Sequence, residues 1–408
     1  MTALHTTPRK RTLSKRGTFW ASASVLALCL WASGAPSVLY PSYAAEWHLS
    51  AAVITTVFAT YPVALLVVLL VFGSISDTIG RRNAMLIGVG LILISAFAFV
   101  LAPDVLWLYV GRALQGAGAG FAIGAASASL VENNTSSNTR LPSSLTTVST
   151  ALGLTLALVL SGALAQYAPL PQELSYILLI ALSAAVFVAV YLTPRRPAGA
   201  RKPWRPQAIH VPVGVRRVFV VSALSVSLAY SVGALFLSLG ASIARDLTGT
   251  TNLLAVGGLL AVSAVMIGLT ALVLQRIHSH VAVILGAVLS LAGLALLELT
   301  AGSGSLVLFL LWCIVGGAGY SLAFMGGLAL VNKTSEPRHR GATLSGVYLV
   351  SYLFQALTAV GAGLIATSLT LTVSVDVVSP IVGVLALVVG VLAVVDWRLR
   401  MLAAGLTA

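Results

Sequence analysis

Charge is scarce in this chain. Only 8% of its 408 residues are Asp, Glu, Lys or Arg, against about 25% in an ordinary soluble domain. Acid is scarcer than base, with 10 Asp and Glu against 23 Lys and Arg. Such a chain cannot cover itself with water-facing charge, so a soluble fold is excluded. Cysteine is nearly absent: Cys29 and Cys313 both lie inside apolar runs, which excludes a disulfide framework and leaves them as small packing residues. The six histidines, His5, His48, His210, His278, His280 and His339, all fall outside the spans drawn below. No His/Cys set has metal-ligand spacing, and no glycine-rich phosphate loop is present. No enzyme, no metal centre and no cofactor is expected. Without an ATP site, any pumping draws on an ion or solute gradient.

What the chain does have is apolar length. It is 59% hydrophobic, with a mean hydropathy of +1.02. Runs of about 20 apolar residues match the ~30 Å of a bilayer core when helical. Twelve such spans can be drawn, near 18–42, 51–73, 84–102, 105–131, 142–166, 174–193, 217–240, 252–274, 281–301, 305–331, 342–367 and 379–397. Basic residues 9–11, 15 and 16 precede the first run. That pattern could start a secretory signal, with SYAA as a cleavage site. The run is too long for one, and a retained first helix is the better reading.

The positive-inside rule orients the spans. With both termini cytoplasmic, all but two of the 23 basic residues fall on the inner side. The exceptions are Arg245, outside, and Arg112, within a span. This placement also answers the net charge of +13, which marks topology rather than nucleic-acid binding. It puts the sequons at Asn133, Asn134 and Asn332 in inner loops, where they are chance matches. The polar segment 194–216, rich in Pro and Arg, divides the chain. The expected organisation is a cytoplasmic tail 1–17, a six-helix bundle 18–193, a central loop 194–216, a second bundle 217–397 and a tail 398–408. The halves repeat faintly at an offset of 200: GAGAGFA from Gly116 lies over GGAGYSL from Gly316, and Arg140 over Arg340. The central loop could also hold anionic lipid headgroups.

The segment GSISDTIGRR, Gly73 to Arg82, joins the second and third spans. Asp77 and Arg81 are four apart and share a helix face. Gly73 is read as a point of close helix approach, Gly80 as a backbone turn, and Arg81 and Arg82 as the water boundary. This segment resembles the loop signature of the major facilitator superfamily, with Gly73, Asp77, Gly80, Arg81 and Arg82 matching and Thr78 departing. The resemblance implies an all-α membrane protein of twelve transmembrane helices in two parallel pseudo-repeats of six. It further implies that Glu132, at the inner end of the fourth span, joins Asp77 and Arg81 in a conformational-switch charge cluster.

The fourth span carries Arg112, two turns inside the membrane. An intramembrane arginine is a functional hypothesis by default. With Gln115, Gly116, Gly118 and Gly120 it resembles a second signature, that of the drug-efflux branches. There the arginine is implicated in proton coupling. A third efflux signature is matched only at Gly153 and Gly162, since Ala157, Leu158 and Ser161 depart from it. The first span has no Asp or Glu, and the one acid read as lying well inside a span is Glu298, near an outer end. By resemblance the first, fourth, seventh and tenth spans line the cavity. Trp31, Tyr230, Tyr320 and Phe324 are then the leading substrate contacts, with Tyr61, Tyr348, Tyr352 and Gln355 beside them.

The expected function is secondary active export of a small amphipathic drug or metabolite in exchange for protons, by a monomer in a bacterial inner membrane. The alternatives are uptake of an organic acid or sugar-like metabolite, and, in another class, a transport-inactive receptor or scaffold. The expected partners are a small-molecule substrate, the proton and membrane lipids.

Overall fold

The computed structural model describes residues 12–73, 75–137, 141–195, 213–334 and 340–405. Among them are thirteen α-helices and no strand. In chain order they are α1 (Lys15–Glu46), α2 (Ala51–Phe72), α3 (Ile75–Ile79), α4 (Arg81–Val100), α5 (Val105–Glu132), α6 (Leu141–Tyr167), α7 (Leu174–Tyr191), α8 (Arg216–Thr248), α9 (Leu253–Val273), α10 (Ser279–Ser303), α11 (Leu306–Thr334), α12 (Arg340–Ser368) and α13 (Leu371–Gly405). All but α3 are long and apolar enough to cross a membrane, twelve in all.

Local chemistry marks many of the ends. Ser14, Ser50, Asp104 and Asn252 cap α1, α2, α5 and α9 by accepting a backbone N–H of the first turn. These are residue types with a short side-chain oxygen suited to that bond. Gly249 and Gly304 end α8 and α10 in the left-handed region, where a glycine has no Cβ to clash. The twelfth span differs most from expectation. It was drawn from residue 379, but α13 starts at Leu371 and runs through Pro380. The β-branched run ahead of Pro380 is held helical by burial: Val375 and Val378 are in the core, and the Ser374 hydroxyl donates to the Ala362 carbonyl of α12 at 2.6 Å.

Loops alternate between two ends of the bundle. The tail end carries the starts of α1 and α8 and the 73–82 segment; the far end carries the α1–α2 and α6–α7 connections. Exposed apolar residues run in helical stripes, such as Val63, Val67 and Val71 on α2 and Ile381, Val384, Val388, Val391 and Val395 on α13. Faces of this kind would drive aggregation in water; in a bilayer they meet lipid. α1 and α8 are the most enclosed of the spanning helices.

The packing has a pseudo-two-fold. In the first six spanning helices, α1 packs on α5, α6 and α7, α2 on α5, and α4 on α5 and α7. In the second six, α8 packs on α11, α12 and α13, α9 on α11, and α10 on α11 and α13. Each pairing has its counterpart. The sets meet along two equivalent seams, α2 on α12 and α6 on α9. At the far end the seams are fastened by Ala52 N–H to Thr367 Oγ1 at 2.7 Å, Leu253 N–H to Gln166 Oε1 at 2.8 Å and Asn252 Nδ2 to the Tyr167 hydroxyl at 3.2 Å. At the tail end the Ser144 hydroxyl donates to Gln275 Oε1 at 3.3 Å.

Candidate substrate cavity and switch residues

Arg112 is fully buried in the first half. Its Nη1 donates to the Ser33 carbonyl of α1 at 3.2 Å and to Gln115 Oε1 at 3.0 Å. Its Nη2 donates to the Phe58 carbonyl of α2 at 3.4 Å. The guanidinium carbon lies 4.7 Å from the centroid of the Tyr61 ring and 5.6 Å from that of Phe58. The sequence prepares this site in two ways. Pro62 has no N–H to offer the carbonyl four residues back, which is that of Phe58. Gly116, one turn beyond Arg112, lets α5 lie against the Tyr61 backbone, where a Cβ would meet the Tyr61 carbonyl. No carboxylate is among the bonded partners of Arg112. Its charge is offset by carbonyl dipoles, the Gln115 amide oxygen and two ring faces. Burying a charge is tolerable only with such partners.

Trp31 and Tyr61 are buried, from α1 and α2. The indole Nε1 of Trp31, Nε of Arg112, Nε2 of Gln115 and Oε1 of Gln355 are buried polar atoms without a protein partner. In the second half the sequence-selected aromatics come together. Tyr230 of α8 and Tyr320 and Phe324 of α11 form a triangle with centroids 6.5, 5.8 and 6.1 Å apart and planes within 20° of parallel. Tyr352 of α12 lies 4.8 Å from Tyr230, and its hydroxyl accepts from that of Tyr230 at 3.4 Å. Tyr348 continues the row, 6.2 Å from Tyr352. Gly233 leaves room for the Tyr320 ring.

The 73–82 segment is built differently from expectation at one position. Gly73 is exposed, and the nearest atoms a Cβ there would meet belong to Leu69 of its own helix. It therefore admits no second helix; it ends α2. Gly80 has a φ of 90° and precedes α4, a backbone angle that demands glycine. Arg81 Nε meets Glu132 Oε1 at 3.3 Å, both partly exposed, and Arg81 Nη1 donates to the Ser76 hydroxyl at 2.6 Å. Arg82 donates to the Tyr191 carbonyl through Nη2 at 2.6 Å and Nε at 3.2 Å, tying α4 to α7. The side chain of Asp77 lies outside the described residues, as does Arg140.

Two readings of the titratable groups are overturned. His280 is not outside the spans; it is buried in the first turn of α10. Glu298 is not the one acid inside a span; Asp396 of α13 is only 2% exposed. The two meet, His280 Nε2 to Asp396 Oδ2 at 2.9 Å, and Arg400 Nε donates to the same oxygen at 2.8 Å. His278 stacks on His280 and on Trp397 at the same tail end. Partial burial first, then the nearby His280 and Lys333, push the His278 imidazole below its ordinary pKa. The available signal was the i,i+4 spacing of Asp396 and Arg400 at the end of an apolar run that reaches Val395.

Twelve spanning helices in two equivalent halves, meeting along two seams around polar and aromatic side chains, have the architecture of a secondary transporter. The sequence profile of the Major Facilitator Superfamily matches residues 20–297, and the chain belongs to that superfamily. A comparison with curated proteins returns no match. Among solved structures, a mutant form of the nucleoside transporter NupG has a TM-score of 0.73 at 15% identity, over 93% of this chain and 99% of that one. A POT family transporter in complex with 5-aminolevulinic acid has a TM-score of 0.74 at 14% identity, over 92% and 95%. A bacterial homologue of the human lysosomal transporter Spinster, inward-facing and occupied, has a TM-score of 0.69 at 13% identity, over 93% and 96%. At these identities the likeness is one of fold.

Proposed function

We propose that this protein is a secondary active transporter that exports a small amphipathic compound in exchange for protons. The observation that supports this best is Arg112, a buried cation held on the Phe58 and Ser33 carbonyls rather than on a carboxylate. A group held this way can change partners as helices α1, α2 and α5 shift, and its charge responds to a proton moving nearby. The residues around it, Gln115 and Gly116, are those of the efflux-type signature. In this reading the tail end is cytoplasmic, because it carries nearly all the Lys and Arg, and the protein is a multi-pass protein of a bacterial inner membrane. The six-helix bundles 18–193 and 217–397 act as two bodies that rock about the site.

Everted membrane vesicles from producing cells test the reading. Their lumen acidifies on energisation, and acridine orange is quenched. Addition of an exchanged amphipathic compound restores the fluorescence. Arg112→Ala abolishes that recovery yet leaves substrate counterflow, where no net proton movement is needed. Proton-driven accumulation of sugars or organic acids in right-side-out vesicles would instead establish uptake. Silence in both assays over a broad compound panel would leave a receptor or scaffold.

A further inference from the structure

The aromatic row of the second half does more than fill space. Tyr320, Phe324, Tyr348 and Tyr352 pack with Tyr230 between α8, α11 and α12. The first four nevertheless keep part of their surface open. Because they pack against α8, one of the two most enclosed helices, their open surface is turned to the interior of the bundle. Tyr230, Tyr320 and Phe324 have planes within 20° of one another at centroid spacings of 5.8–6.5 Å. These three faces are near-parallel, and only Tyr352, tilted by 50° to Tyr230, departs from them, so the cluster is not a box of perpendicular faces. A box surrounds a compact cation, as aromatic cages surround quaternary ammonium groups. A platform takes a flat ring by offset stacking.

Charge narrows the ligand further. The platform residues carry no acid, and the buried Asp396 is already bonded to His280 and Arg400 at the tail end. A bound cation would have no counter-ion. An anion finds both Nη groups of Arg112 already donating to protein oxygens, with only its Nε left without a partner. Three unpartnered donors, Trp31 Nε1, Arg112 Nε and Gln115 Nε2, lie in the first half; on the side of the aromatic rings the unmet group is an acceptor. Gln355 is three residues beyond Tyr352 and seven beyond Tyr348, on the same face of α12. Its Oε1 is buried without a protein partner. A buried acceptor of this kind favours a ligand that donates to it.

We propose that the near-parallel rings of Tyr230, Tyr320 and Phe324, with Tyr352 at their edge, form the platform for an uncharged planar ring compound that carries an N–H or O–H donor, which Gln355 Oε1 accepts. The substrate class rests on the reading of this cavity as the transport site. The test is therefore equilibrium binding to the purified protein, which does not require transport. Four probes of similar size separate the classes: 2-quinolone, neutral, flat and bearing an N–H; N-methyl-2-quinolone, which lacks the donor; N-methylquinolinium, a cation; and quinoline-2-carboxylate, an anion. A saturated bicyclic lactam serves as the non-planar control. Titration calorimetry should find 2-quinolone bound about tenfold more tightly than each of the others. Gln355→Leu should remove its preference over N-methyl-2-quinolone. Phe324→Leu should weaken it about tenfold, and Phe324→Tyr should restore it. Tighter binding of the quinolinium or the carboxylate overturns the proposal. So does equal binding of the saturated lactam, an unchanged preference in Gln355→Leu, or no binding of any probe at millimolar concentration. If 2-quinolone binds as stated but is not moved by the vesicles, the platform stands and the transport reading fails.

Discussion

Arg112 and Pro62 are coupled through one carbonyl oxygen. Phe58 O has lost its usual helical donor to Pro62, and Arg112 Nη2 supplies the replacement. Arg112→Ala leaves that buried acceptor bare, at a cost of about 1–3 kcal/mol, and the melting temperature should fall. Pro62→Ala restores an N–H four residues on, so it should recover part of the loss in the Arg112→Ala background. If Pro62→Ala shifts both backgrounds equally, the coupling is absent. Neighbouring glycines differ in the same predictable way. A Cβ at Gly116 would meet the Tyr61 backbone, whereas one at Gly124 meets nothing within 4 Å. Gly116→Ala should cost about 1–3 kcal/mol by overpacking, and Gly124→Ala should be neutral or mildly stabilising. Scanning fluorimetry that ranks the two the other way would refute the close approach of α5 and α2. Arg112 stood out in the sequence because a charge inside an apolar run is costly. Its partners did not, because two are backbone carbonyls of other helices, and these carry no side-chain signature. The Phe58 to Pro62 spacing was the one readable clue.

At the scale of elements, most helices were legible as apolar runs, since a bilayer demands length and little charge. The ends were less so. Asp396 and His280 lay at the margins of the twelfth and ninth drawn spans, where a shift of two residues separates a solvated loop group from a buried pair. The pair clamps α10 to α13, and Asp396→Ala would remove both of its bonds. That should lower the melting temperature well beyond the effect of Asp376→Ala, whose side chain is exposed. Equal shifts would mean that the clamp adds nothing to stability. The Arg81–Glu132 contact between α4 and α5 is a different kind of pair. Both partners are about one-third exposed, so its stability contribution is small, about 0–1 kcal/mol. Glu132→Gln and Asp77→Asn are therefore expected to leave the melting temperature and binding nearly unchanged while slowing transport several-fold, because a surface cluster acts only by biasing which end opens. Normal flux in both variants would remove the segment from the mechanism.

The whole molecule is two like halves joined at two equivalent seams, and a transporter of this design must part those seams at one end at a time. The far end is fastened by backbone-to-side-chain bonds, among them Ala52 N–H to Thr367 Oγ1. Its seams are also packed through glycine: Gly363 lies against Thr55, and Gly162 against Leu253. Small residues permit such close contact and leave little side-chain interlock to undo when the helices separate. A donor–acceptor distance of 2.7 Å between Ala52 N and Thr367 Oγ1 brings the two backbones near the ~4.4–6.8 Å Cα spacing that a disulfide spans. The paired substitution Ala52→Cys with Thr367→Cys should therefore cross-link under mild oxidant. The native Cys29 and Cys313 are buried and should not compete. Oxidation is expected to stop flux almost completely while leaving ligand binding from the tail end within about twofold, because a tether on one end excludes only the conformation open at that end. Reduction should restore flux. Efficient cross-linking with undiminished flux would mean that the far-end seam need not part, and the rocking of two six-helix bodies would be wrong for this protein.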